Sequence, residues 1–171
     1  PYPFTVTATT RTRRPVERDG VDYIFVTSKK FRQMVDEGEL LEWAAVYGNL
    51  YGVPKAQVVA ALQAGRDVLI KADVQGAATI RRLAPDGLFI FVAPPSIKEL
   101  SERLSLRMTE SPDALNLRLQ AAKAEMAEAS NFDYAVVNHR DRLDDAIREI
   151  EAIVARERRE CPSRKTPLLA G

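Results

Sequence analysis

One cysteine, one histidine and one tryptophan occur in 171 residues. The lone Cys161 excludes an internal disulfide and fits a reducing compartment, so a cytoplasmic location is expected. His139 has no second histidine or cysteine near it, which argues against a metal site or a catalytic triad and leaves it as a loop residue. No apolar run approaches the length of a membrane span and no signal peptide is visible, so no membrane partner is expected. Neither sign of charge dominates: 25 basic against 24 acidic residues give a net charge of +1. The chain therefore lacks the global basic field of a nucleic-acid binder, and any anion site has to be local. Internal repeats are also lacking. Trp43 and the phenylalanines are expected in the core.

What is present is ordinary bulk and one unusual loop. Length allows one domain with a sizeable core. Four arginines fall within eight residues, Arg11 to Arg18, after an apolar, strand-like start at residues 3–8. An Asp19-Gly20 turn leads to a strand at Tyr23–Val26. Ser28 is expected to cap a helix with Phe31, Met34 and Val35 on one face. Leu40 to Val46 is an apolar segment broken by Glu42, Gly48 to Gly52 reads as a turn, and Pro54 opens a helix to Leu62. Short buried strands are expected at Val68–Ile70, Leu88–Val92 and Tyr134–Val137. Helices are expected over 76–83, from a Ser96-x-x-Glu99 capping box through Arg107, from Pro112 to about Ser130, and from an Asp141 cap to about Arg158. In the last helix Leu143, Ile147, Ile150 and Val154 share a face. Strands alternating with helices from residue 67 onward predict an α/β fold with a parallel sheet, and residues 9–64 read as a small mixed insertion.

Four places carry candidate chemistry. Arg11 and Arg14, with Tyr23 and Tyr51, suit a phosphate, since guanidinium forks match its oxygens in pairs; a solvated basic loop is the alternative. Glu42 among apolar neighbours is either at a sheet edge facing water or paired. Guanine offers two adjacent donors that one carboxylate accepts, whereas adenine presents an acceptor there. Asp73 ends a predicted parallel strand, where open α/β sheets place ligands, and suits Mg²⁺, a ligand hydroxyl or a helix N-cap. Arg103 and Arg107 are one helical turn apart and Arg118 is on the next helix, an arrangement that suits a polyphosphate clamp or ordinary surface pairing.

The order of these signals carries a resemblance. Thr9-Thr10-Arg11-Thr12-x-Arg14, Glu17, Gly20-x-Asp22-Tyr23-x-Phe25, Glu42-Trp43, Gly48-Asn49-x-Tyr51-Gly52, Asp73-Val74-Gln75-Gly76, Ala93-Pro94-Pro95-Ser96 and Arg103-Leu104-x-x-Arg107 together resemble guanylate kinase over about residues 4–157. The resemblance implies phosphoryl transfer from ATP to GMP with Mg²⁺, in purine nucleotide metabolism. It implies a P-loop kinase fold: a core of residues 1–8 and 65–159, a GMP-binding subdomain at 9–64, a helical lid at about 103–118, and a disordered tail at 160–171. Thr7, Arg11, Arg14, Glu17, Tyr23, Glu42, Tyr51 and Asp73 would bind GMP. Arg11, Arg103, Arg107 and Arg118 would be catalytic, and Arg103, Arg107 and Asn138 would lie on the ATP side. No protein-held metal site is implied.

Departures bear on this picture. Val53 stands where the family often has a hydroxyl that helps with guanine. Lys71 stands where an acid is frequent, which bears on Mg²⁺ handling and offers phosphate a lysine instead. None of the 8 glycines lies in a G-x-x-x-x-G-K-[ST] loop, which in the family grips ATP. The expectation is a fragment lacking the first strand and that loop, inactive alone. The other function class the resemblance allows is a non-catalytic guanylate-kinase-like module that binds phosphopeptide or GMP.

Overall fold

The computed structural model describes residues 3–105 and 112–161. They form two units, one ending at Gly87 and one beginning at Leu88.

In the first unit the expected strand at residues 3–8 is interrupted. Phe4 makes a single parallel bridge to Leu69, and β1 is only Ala8–Thr9. The interruption has a chemical cause: Gln57 occupies both backbone groups of Val6, accepting from its N–H at 2.8 Å and donating to its carbonyl at 3.2 Å. The strand expected at Val68–Ile70 is likewise reduced to that bridge, with Thr5 N–H donating to the Leu69 carbonyl at 3.0 Å. Beyond β1 the sheet is mixed. β1 pairs parallel with β2 (Ile24–Phe25) and antiparallel with β4 (Asn49–Pro54), whose far side carries β3 (Leu40–Val46).

The helix α1 (Ser28–Asp36) is capped by Thr27 rather than Ser28: the threonine hydroxyl accepts from Lys30 N–H at 3.2 Å. α1 buries Phe31 and Met34 against Ala8, with Ile24, Leu40 and Leu50 around them. Burial of each large side chain there contributes about 1.5–3 kcal/mol. The turn expected over Gly48–Gly52 is only two residues long. Tyr47 and Gly48 have φ of 49° and 77°, and Val46 pairs with Asn49. Two successive positive φ values suit a type I′ hairpin, and glycine takes the second at no steric cost. Asn49 therefore already belongs to β4, and Tyr51 lies on a strand. Trp43 is not a core residue. It is 50% exposed at the margin of the face on which α1 packs, meeting the Phe31 ring edge-on. The period of two puts Glu42 and Ala44 on the opposite face. Helix α2 (Lys55–Gln63) follows Pro54, and α3 (Val74–Leu83) begins at an Asp73 N-cap.

The second unit holds the parallel pair β5 (Ile90–Ala93) and β6 (Tyr134–Val137), in the register Ile90 to Tyr134. Helices α4 (Ile97–Ser105), α5 (Pro112–Ala127) and α6 (Leu143–Glu160) accompany it, with a 3-10 turn at Glu128–Asn131 after α5. Half of the expected capping box forms at α4. Ser96 accepts from Glu99 N–H at 3.1 Å, but the Glu99 carboxylate turns to Arg103 and to Arg140 N–H. The stripe of α6 packed on Val136 is Ala146 and Ile153 with the partly buried Ile150; of the expected face Ile150 joins it, whereas Leu143 and Ile147 are exposed. Both stripes satisfy helical spacing, so period alone does not choose between them. Asp141 does not cap α6. It sits at φ 57°, and the N-cap is Arg142, whose side chain pairs with Asp145 and makes no capping bond. The expected extension of α4 through Arg107 and the tail from 162 lie outside the described residues. Among the described residues no helix is long and apolar enough to cross a membrane.

Candidate functional site

The arginine loop leaves the sheet at Thr9, and three hydroxyl bonds tie it there. Thr9 donates to the Leu50 carbonyl at 2.9 Å and accepts from Arg11 N–H at 3.1 Å, while Thr10 accepts from Leu50 N–H at 2.9 Å. β4 thereby fixes where Arg11 emerges. The Arg11 guanidinium makes an ion pair with Glu17 at 2.7 Å and lies 5.3 Å from the centre of the Tyr23 ring. The hydrogen bond from Arg11 holds the Glu17 carboxyl below its ordinary range. The same carboxylate accepts from Arg14 N–H at 2.8 Å, so Glu17 organises both arginines. Tyr23 and Tyr51 meet edge to face at 6.1 Å, and Tyr51 lies near enough to help hold the Arg11 charge. Sequence reasoning brought these five residues together, and they do cluster.

Glu42 is not a solvated edge residue. β3 is an edge strand, yet α3 packs against it and Glu42 is only 7% exposed. Burial, and then the charge of Asp73, push its carboxyl up to about 7. No described residue donates it a hydrogen bond. The approach of α3 is permitted by Gly76, where a Cβ would stand 2.7 Å from the Glu42 Oε2. Asp73 accepts from Gly76 N–H at 2.7 Å, so it is a helix cap. It also lines a cavity of about 230 Å³ with Glu42, Thr7, Tyr23 and Tyr51. Ala44 and Val46 add an apolar wall. Among the described residues the buried Thr7 hydroxyl has no hydrogen-bond partner. Lys71, which the sequence offered to phosphate only as a replacement for a frequent acid, lines this cavity and donates to the Tyr23 hydroxyl at 3.2 Å. Its position two residues before Asp73 was the available signal.

In the second unit Arg103 pairs with Glu99 and donates to the Asn138 carbonyl at 2.8 Å. Asn138 itself follows β6, its N–H held by Ala93 O at 2.9 Å. Arg118 lies on α5, and Arg107 is outside the described residues. Among the described residues no three histidine, cysteine or carboxylate side chains converge as a metal site would need.

An unsatisfied carboxylate and hydroxyl at one end, an apolar wall, and cations with phenols at the other suit a flat hydrogen-bonding ring that carries a phosphate. Set in an α/β chain, this defines a nucleotide-handling protein. The guanylate kinase family model matches residues 2–157. A guanylate kinase of Shouchella clausii is 44% identical over 154 residues, which span 90% of this chain and 74% of that protein. One from Dechloromonas aromatica is 45% identical over 151 residues, covering 88% and 74%. The crystal structure of guanylate kinase from Anaplasma phagocytophilum superposes with a TM-score of 0.79 at 30% identity, covering 92% of this chain and 77% of that one. The chain belongs to the guanylate kinase family, enzymes of the nucleoside monophosphate kinase class.

Proposed function

We propose that this chain binds GMP in the cavity of its first unit and carries the GMP-binding part of a guanylate kinase, which transfers phosphoryl from ATP to GMP in the cytoplasm; without a G-x-x-x-x-G-K-[ST] loop the chain alone is expected to be inactive. The observation that carries this is Glu42: a buried carboxylate with no described donor, beside an unpartnered Thr7 hydroxyl. The N1–H and exocyclic amine of guanine supply the two donors that the carboxylate lacks, and adenine does not. Thr7 and Asp73 assist at the base. Arg11, Arg14, Tyr23 and Tyr51 take the phosphate, with Glu17 orienting the arginines. Residues 9–64 form the greater part of this binding region. Arg103, Arg107 and Arg118 serve the ATP side as lid residues, with Asn138 near the adenine. Phosphoryl transfer depends on positioning and on cations around a highly charged transition state, which this residue set can supply.

The donor set does not fit a protein-held Mg²⁺. Asp73 is engaged by Gly76 N–H, and a lysine stands two residues before it. Mg²⁺ then enters coordinated by ATP.

Isothermal titration of the chain with GMP and AMP tests the reading. Preference for GMP by at least about 100-fold is expected. Equal binding of the two nucleotides, or phosphopeptide binding that ignores Glu42→Gln, would overturn it. Glu17→Gln is expected to weaken GMP by about three- to tenfold while costing about 1–2 kcal/mol in a melt, because the partly buried pair loses its charge-assisted hydrogen bonds. An unchanged GMP affinity would remove Glu17 from the site.

A further inference from the structure

We propose that Lys71 is a substrate-binding residue whose ammonium takes a non-bridging oxygen of the GMP phosphate. The proposal rests on the cavity being the GMP site. Lys71 lines that cavity beside Tyr23 and Tyr51. Its Nζ is 3.2 Å from the Tyr23 hydroxyl and 4.9 Å from the centre of that ring. Arg11 lies on the same ring, at 5.3 Å. Two cations thus share one phenol, and they are not equivalent. Arg11 and Arg14 share the one carboxylate of Glu17, at 2.7 and 3.9 Å, whereas among the described residues no carboxylate pairs with Lys71. Lys71 thus adds an unpaired cation beside the arginine cluster.

The hydrogen-bond direction adds a second consequence. An ammonium has only donors, so the Tyr23 oxygen must accept from Lys71. The phenolic proton is then left to donate elsewhere, and an anion in the cavity is its natural acceptor. One lysine would contact the phosphate and also aim the tyrosine hydroxyl at it. The ammonium also lies 6.0 Å from the centre of the Phe4 ring. The head is therefore positioned while the residue as a whole stays exposed.

Titration calorimetry of the full chain with GMP and with guanosine tests this. Lys71→Met keeps the stem and removes the charge. It is expected to weaken GMP about tenfold, the scale of one charge-assisted hydrogen bond, and to leave guanosine unchanged. Lys71→Arg should restore GMP binding to within about threefold of wild type, since it keeps a cationic donor. In a Tyr23→Phe background the loss caused by Lys71→Met should persist. Equal GMP affinity for wild type and Lys71→Met would overturn the proposal. So would an equal loss for guanosine, or disappearance of the effect in the Tyr23→Phe background, which would reduce Lys71 to a support for Tyr23. Failure of wild type to prefer GMP over AMP would instead overturn the reading of the cavity, and this proposal with it.

Discussion

Glu42→Gln will make the protein more stable above pH 7 and at the same time remove its grip on GMP. Both effects come from one buried charge. The Glu42 carboxyl is raised from 4.5 to about 7, first by burial and then by Asp73. Below pH 4.5 the group is neutral in the folded and unfolded chains alike. Between 4.5 and 7 the unfolded chain ionises first, so stability falls as pH rises; above 7 the loss is complete and constant. After discounting for solvent reaching the cavity, the loss is about 2 kcal/mol. Urea titrations at pH 5 and pH 8 should therefore show the glutamine variant matching wild type near the first and exceeding it by about that amount at the second. Calorimetry should show GMP weakened by at least 100-fold, roughly the effect of leaving ligand donors unpaired in a buried site. In wild type GMP affinity should climb as pH rises towards 7 and then level off, because the ring donors need the ionised carboxylate. A pH-independent GMP affinity, or a variant no more stable than wild type at pH 8, would show that Glu42 is solvated rather than buried.

Gly76→Ala should leave the fold intact and damage the site. The new Cβ would stand 2.7 Å from Glu42 Oε2 and 3.1 Å from the Ala72 Cβ. The first of these neighbours is the far end of a flexible side chain, so it swings away at small cost. Alanine in the first turn of α3 also offsets part of the strain, by up to about 1 kcal/mol relative to glycine. A thermal melt should therefore move by only a few degrees. GMP affinity should fall roughly 10- to 100-fold, because the carboxylate is pushed off the line of the ring donors. Full GMP affinity in Gly76→Ala would mean that Glu42 tolerates displacement, and with it that base recognition lies elsewhere.

Local chemistry was legible in the sequence where the determinants lie close together in the chain. The Thr9–Tyr23 stretch brings its own arginines, its own glutamate and its own turn, and the structure gathers them as their order suggests. For Glu42 the sequence left open a base-reading carboxylate or a solvated edge residue, and position on the strand could not decide between them. What buries it is α3, more than thirty residues on in the chain, through a glycine whose missing side chain is visible only once the two elements meet. The broken pairing at Val6 has the same origin: a glutamine from α2 satisfies a backbone that reads as a plain strand. Trp43 and the two stripes of α6 show a third limit. Periodicity finds faces, but which face turns inward depends on what packs there, and Ala146 with Ile153 fits against Val136 where Leu143 and Ile147 remain outside.

The bonds that join Thr9 and Thr10 to Leu50 have a consequence for the entropy of binding. They couple the backbone that carries Arg11 to the strand that carries Tyr51. A ligand phosphate arriving between these side chains finds them already assembled. Immobilising a long side chain at a binding site costs about 0.5–1.5 kcal/mol, and here much of that cost is met when the chain folds. The threonine hydroxyls thus act on affinity without touching the ligand, by sparing it the work of ordering its own receptor.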